Sequence, residues 1–125
     1  MSDSGLYFEG RALKPYAEPV LETELKEGSV YFAIMYVDDD MLIPTMETLV
    51  FIGRDLEPGD SGSVYFQDIY SYRQGVRYGA TTEGDHAEFC TGSAKEVGHI
   101  FTFERALEAL MNCSLRRRKA EQREK

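Results

Sequence analysis

The chain has 125 residues, of which 42% are hydrophobic and 12% aromatic. This composition is typical of one globular domain and excludes a disordered chain. Because the sequence has no run of about 18 apolar residues and no basic start followed by an apolar stretch, it predicts neither a membrane span nor a signal peptide. Two cysteines are too few for a disulfide scaffold, so we expect a cytoplasmic protein with reduced thiols.

The charge is unevenly distributed around a net value of -8. Residues 1–100 hold 7 basic and 18 acidic side chains, a net charge of -11, whereas residues 101–125 hold 7 basic and 4 acidic ones, a net charge of +3. An acidic body repels nucleic acid and anionic membrane surfaces. We therefore expect a protein partner of basic character rather than nucleic acid or a membrane.

The first half of the chain carries strand and turn signals. Leu21, Thr23 and Leu25 alternate with glutamates, which predicts a strand with one wet face. Residues 30–37 are apolar on both faces and predict a central strand. Three aspartates at 38–40 then predict a hairpin tip.

The middle of the chain continues this pattern. Residues 57–60 combine Pro and Gly in the order of a type II turn. Further strands are predicted over 64–72, 76–80 and 87–91. In the first of these, Asp68 falls on a face that is otherwise apolar and aromatic. If this face lines a ligand pocket, we expect the pKa of Asp68 to be raised.

A helix is predicted at the C-terminal end, with Thr102 as its N-cap. The apolar stripe consists of Phe103, Ala106, Leu107, Leu110, Met111 and Ser114. Residues 116–125 are basic and lack this stripe. We expect a single domain over 1–115 and a basic, solvent-exposed helix extension or tail over 116–125. The predicted fold is α+β, a curved antiparallel β-meander or half-barrel with the C-terminal helix packed on it.

No recognised catalytic motif occurs, and neither phosphate-binding glycine pattern is present. The candidates for acid–base chemistry are Asp68, His86, Glu88 and His99. His86 and Cys90 share a predicted strand face and are the candidate metal ligands, although no second ligand pair accompanies them. No cofactor is predicted. Spacing alone leaves open whether Cys90 and Cys113 approach each other.

A cluster of aromatic and basic residues gives the main functional hypothesis. Its members are Tyr65, Tyr70, Tyr72, Arg73, Arg77 and Tyr78. Tyrosine and arginine are the residue types that anchor protein interfaces. The sequence therefore favours a small acidic, non-enzymatic protein-binding domain of the adaptor, inhibitor or immunity type, with this cluster on a sheet face.

Two further hypotheses remain. One is a small-ligand or enzymatic pocket inside the curved sheet that uses Asp68, Glu88, His86 or His99. The other is a homo-oligomer in which the basic residues 116–119 of one chain contact the acidic body of another.

Overall fold

The structure, a computed structural model, describes residues 5–8 and 10–123. Within these residues one antiparallel five-stranded sheet has the order β4-β3-β2-β1-β5. The strands are β1 (Val30–Tyr36), β2 (Pro44–Arg54), β3 (Ser63–Asp68), β4 (Phe89–Ser93) and β5 (Ile100–Phe101), and the helices are α1 (Ile69–Arg73) and α2 (Phe103–Arg123). The predicted α+β fold with a C-terminal helix is confirmed.

A short link between β4 and β5 curves the sheet, because these strands lie at opposite edges. Four strand spacings of about 4.8 Å would place the edges of a flat sheet about 19 Å apart. The link contains a 3-10 turn at Ala94–Glu96 and a second turn in which the N–H of Ile100 donates to the carbonyl of Val97 at 3.0 Å. Such a link spans at most about 15 Å. The sheet therefore curls towards the face that the link crosses, as predicted.

The main hydrophobic core lies on this concave face. The rings of Phe51 and Phe66 meet there with centroids 5.5 Å apart. The core residues are Tyr31, Ala33, Leu49, Phe51, Val64 and Phe66 from β1, β2 and β3, with Val20, Leu25 and Ile100. Ala94 and Val97 of the link pack against this core. Burial of these apolar side chains thus holds the link against the concave face of the sheet.

Helix α2 covers part of the convex face, beside β1 and β5. Its Ala106 and Ala109 form a second cluster with Ile34 and Phe101. Two alanines at the contact let the helix approach the sheet closely, because they present no long side chain. No helix among the described residues is both long and apolar enough to cross a membrane.

The acidic hairpin tip between β1 and β2 is confirmed, and Asp38 organises it. Its carboxylate accepts the N–H of Leu42 at 3.0 Å and that of Ile43 at 2.9 Å. Burial by itself would raise the pKa of Asp38, but these two hydrogen bonds and the nearby charge of Arg116 lower it. The aspartate therefore satisfies backbone donors, as expected of a turn residue.

The predicted strand over residues 21–25 is wrong. Glu22–Glu24 form a 3-10 turn instead. The guanidinium of Arg54 donates to the carboxylate of Glu22 through Nε and to the carbonyl of Glu22 through Nη2. The same Nη2 also donates to the carbonyl of Leu25 at 3.2 Å. One guanidinium on β2 can bond these carbonyls because they converge in a closed turn. In an extended strand, successive carbonyls would point in opposite directions.

The strands predicted over 64–72 and 76–80 are also corrected. Strand β3 ends at Asp68, whose carboxylate accepts the N–H of Ser71 at 2.9 Å and so caps α1. Residues 76–80 form a loop, and Gly79 adopts a φ of 79°, which is incompatible with an extended strand.

The buried face of α2 differs from the predicted stripe. The residues it buries are Ala106, Ala109, Asn112 and Cys113, while Phe103 is 66% exposed. Two bonds fix this rotation: Arg116 Nε donates to the carbonyl of Met41 and Arg117 Nη1 to that of Leu42, each at 3.0 Å. The segment predicted as a helix extension or tail over 116–125 is helical as far as Arg123, and residues 124 and 125 lie outside the described part.

We expect Phe51→Ala to lower the free energy of unfolding by about 3–5 kcal/mol, because it leaves a cavity in the concave core. Phe8→Ala is the matched control, since Phe8 is 95% exposed, and it should change that energy by less than about 0.5 kcal/mol. Urea unfolding followed by circular dichroism measures both. Equal effects of the two substitutions would contradict the described core.

Candidate functional site

The six residues predicted to bind a partner come from three different elements. Tyr65 lies on β3 and is buried, whereas Tyr70, Tyr72 and Arg73 lie on α1, and Arg77 and Tyr78 lie on the following loop. The fold thus does not place the six on one sheet face. It brings Tyr72, Arg77 and Tyr78 together, and it leaves Tyr70 78% exposed on α1.

These three residues line an open cleft of about 710 Å³ on the convex side of the sheet. We call it the tyrosine cleft and define it by Glu27, Glu57, Gln67, Tyr72, Arg77 and Tyr78. Strand β3 forms its floor, and the segment that follows α1 forms one wall. The turn before β1 and the loop after β2 supply the glutamates.

The walls of the tyrosine cleft are held by specific contacts. The guanidinium carbon of Arg77 lies 3.9 Å from the centroid of the Tyr72 ring, and Nη1 donates to the carbonyls of Tyr72 and Val76, each at 2.8 Å. The hydroxyl of Tyr78 donates to Glu57. The ring of Tyr78 packs 5.5 Å from that of Tyr65. Contacts within the protein therefore hold the rings of Tyr72 and Tyr78 in place.

Gln67 on the floor of the cleft is fully buried, with 0% of its surface exposed. Its Nε2 donates to Ser71 Oγ and to the carbonyl of Val76, each at 2.9 Å. A carbonyl can only accept, so this bond fixes the orientation of the amide. Its Oε1 has no hydrogen-bond partner among the described residues. An unsatisfied buried acceptor costs about 1–3 kcal/mol, so it calls for a specific explanation.

Asp68, the first acid–base candidate, has a structural role. Its carboxylate accepts the N–H of Ser71, the hydroxyl of Ser71 at 2.5 Å and the N–H of Glu88 at 2.9 Å. Burial by itself would raise its pKa, but these hydrogen bonds outweigh burial and lower it. The raised pKa that the pocket hypothesis expected for Asp68 is therefore wrong, because the carboxylate faces donors rather than aromatic rings.

His86 and Glu88 lie beside Asp68 along a second, wide cleft that also includes Asp85. Both side chains are exposed. Among the residues that the structure describes, no three or more His, Cys, Asp or Glu side chains are grouped to hold a metal ion. The fold thus separates these candidates from His99, with which the sequence hypothesis combined them.

Cys90 and His99 line a different space, inside the curve of the sheet. This concave cleft has a volume of about 210 Å³ and apolar walls that include Ala33, Leu49 and Val64. The volume is below the range of roughly 300–1,000 Å³ that is usual for small-molecule sites. The concave cleft can therefore hold one apolar group rather than a cofactor.

The thiol of Cys90 is poorly suited to nucleophilic chemistry. Cys90 keeps an exposed side, but its partial burial raises the pKa of the thiol, and the carboxylates of Glu47, Glu88 and Asp68 raise it further. Because the thiolate is the reactive form, this setting suppresses attack at neutral pH. Cys113 is a separate, buried free thiol on α2.

Sequence reasoning missed the most informative residue, Gln67. A weak signal was present, because Gln67 directly follows residues 64–66, which are apolar on both faces. Such a run predicts burial on both faces of the strand. The missing partner of its amide oxygen depends on the loop after α1, and no local pattern reveals it.

Comparison with protein families, with curated proteins and with solved structures finds no match to this chain.

We expect Asp68→Ala to lower the free energy of unfolding by about 1–2 kcal/mol at neutral pH, because it removes the N-cap of α1. The folded pKa lies below the unfolded one, so the ionised carboxylate stabilises the protein above the unfolded pKa of about 3.9. The difference between wild type and variant should shrink as the pH falls below that value. Urea unfolding at a series of pH values measures it.

Asp39→Ala serves as the control, because Asp39 is an exposed acid in the hairpin tip. Its stability effect should stay small across the same pH series. If the Asp68→Ala difference persists undiminished at strongly acidic pH, the ionised cap is not its source.

Proposed function

We propose that this chain is a non-enzymatic protein-binding domain whose tyrosine cleft receives a basic side chain from a partner protein. The observation that carries the proposal is the buried Oε1 of Gln67, which lacks a partner within the described part of the chain. A lysine or arginine side chain would supply the N–H donor that this oxygen lacks, once a small movement of the groups that cover Gln67 opens the oxygen to the cleft. A donor from outside would turn a costly buried group into a charge-assisted hydrogen bond.

The charges around the cleft favour the same occupant. Glu27 and Glu57 line it, against the single guanidinium of Arg77. Arg77 already lies on Tyr72 and donates to two carbonyls, so its position is fixed by the protein itself. The net charge of -11 over residues 1–100 adds a long-range attraction for a basic partner.

The aromatic walls supply contact area for such a side chain. Tyr72 and Tyr78 are half-buried, so each ring keeps some surface for a partner. An ammonium or guanidinium group is attracted to the face of a tyrosine ring. Tyr70 is exposed on α1 but lines the second, wide cleft instead, so it is not part of the proposed site.

The proposal is tested by NMR titration with acetyl-arginine methylamide, against acetyl-norleucine methylamide as the uncharged probe. We expect the arginine probe to shift the signals of Gln67, Tyr72 and Tyr78, and the norleucine probe to have little effect. Gln67→Met should weaken arginine binding about tenfold, since a hydrogen bond to a charged group contributes about 1.5 kcal/mol or more.

Two further variants control this titration. Glu57→Gln removes one carboxylate from the cleft and should also weaken the arginine probe. Tyr70→Ala changes an exposed ring outside the cleft and should leave its affinity unchanged. Equal binding of both probes, or shifts confined to other parts of the molecule, would rule out the proposed site.

The concave cleft favours a second candidate function, the binding of a small apolar molecule. What supports it is a cavity of about 210 Å³ with apolar walls inside the curved sheet. Met35 lines this cleft and is exposed, so its side chain offers an apolar surface along which a ligand can enter from solvent. Such a pocket gains affinity from burying apolar surface of the ligand.

Cys90 lines the concave cleft and therefore reports its occupancy. We expect saturating toluene to slow the alkylation of Cys90 by iodoacetamide at alkaline pH, because the ligand covers the side of this exposed residue that lines the cleft. Mass spectrometry of the modified peptide gives the rate. Alkylation of N-acetylcysteine under the same conditions controls for an effect on the reagent, and an unchanged Cys90 rate would contradict binding in the cleft.

A further inference from the structure

A groove between α2, β1 and the segment before the first 3-10 turn has a different character from the clefts described above. It encloses about 360 Å³. Its defining residues are Ala17, Ile34, Tyr36, Phe101, Asn112 and Arg116, and we call it the helix groove. Its volume falls within the range of roughly 300–1,000 Å³ that is usual for small-molecule sites.

The walls of the helix groove are largely apolar. Ile34 and Phe101 of the sheet are buried there, and Ala109 of α2 faces them. Polar character is concentrated near Asn112 and Arg116, which lie one helical turn apart on the same face of α2. The groove therefore combines an apolar body with a polar end.

Arg116 is held at this polar end. Its Nε donates to the carbonyl of Met41 at 3.0 Å, and its guanidinium carbon lies 5.2 Å from the centroid of the Tyr36 ring. Its Nη2 is buried and has no hydrogen-bond partner among residues 5–8 and 10–123. The neighbouring carboxylate of Asp38 accepts instead the N–H groups of Leu42 and Ile43.

A buried guanidinium N–H without an acceptor is costly, and a carboxylate is the acceptor that matches its geometry. We propose that the helix groove binds a small carboxylate with an apolar body. The carboxylate pairs with Nη2 of Arg116 after a small rotation of the guanidinium, and the Asn112 amide offers a second donor. The apolar body lies against Ile34, Phe101 and Ala109. This site is independent of the tyrosine cleft.

The test is an NMR titration of the full chain with hexanoate and with hexanol, which share the apolar body but differ in the carboxylate. We expect hexanoate to shift the signals of Ile34, Ala109 and Asn112 in a saturable manner. Hexanol should bind at least about tenfold more weakly, because it cannot pair with a charged donor. Equal affinity for the two probes would overturn the proposal.

Variants of two neighbouring arginines locate the charge. Arg116→Gln should weaken hexanoate about tenfold or more. Arg117→Gln is the matched control, because Arg117 also donates to the hairpin but does not line the groove, and it should leave hexanoate affinity within about twofold.

Because Arg116→Gln also removes the contact with Met41, circular dichroism establishes that the variant is folded. The comparison of hexanoate with hexanol on the wild-type protein stands without the variant. Equal effects of the two substitutions, shifts away from the groove, or no saturable shift would each overturn the proposal.

Discussion

The link between the two edge strands is the constraint on which the rest of the structure depends. It joins Ser93 of β4 to Ile100 of β5 across the whole sheet, over a path too short for a flat one. The sheet therefore curls, and Val97 of the link packs on the concave side against the core that contains Phe51 and Phe66. This arrangement leaves the convex side to be covered by separate segments: α2 beside β1, and α1 with its following loop beside β3.

Two separate segments, α2 and α1 with its following loop, cover the convex face. Each leaves beneath or beside it a buried polar atom that has no hydrogen-bond partner among the described residues. Under the loop after α1 lies the Oε1 of Gln67, and beside α2 lies the Nη2 of Arg116. One is an acceptor bordered by glutamates and tyrosines, and the other is a cationic donor bordered by apolar walls. The ligands that we propose for them are accordingly opposite, a basic side chain and a carboxylate. Each ligand would supply the hydrogen bond that the protein leaves unmade.

Local patterns predicted much of the fold. The run at β1 is apolar on both faces and occupies an interior strand, and Asp38 organises the predicted hairpin. The end of β3 was not predicted, because Tyr70 and Tyr72 favour strands whereas Asp68 caps a helix through Ser71. The rotation of α2 was not predicted either. It rests on bonds to hairpin carbonyls more than 70 residues away, which helical periodicity cannot reveal.

The candidate site was predicted in part, since Tyr72, Arg77 and Tyr78 do meet in one cleft while Gln67 was missed. Both proposals share one requirement, that Gln67 Oε1 and Arg116 Nη2 form hydrogen bonds with groups from outside the chain. A crystal structure of the protein soaked in acetyl-arginine methylamide and hexanoate would reveal both bonds. We expect the arginine probe to be bonded to Oε1 and the carboxylate to Nη2, as this requirement demands. Both clefts empty, with both atoms hydrogen-bonded to other groups of the protein, would contradict it.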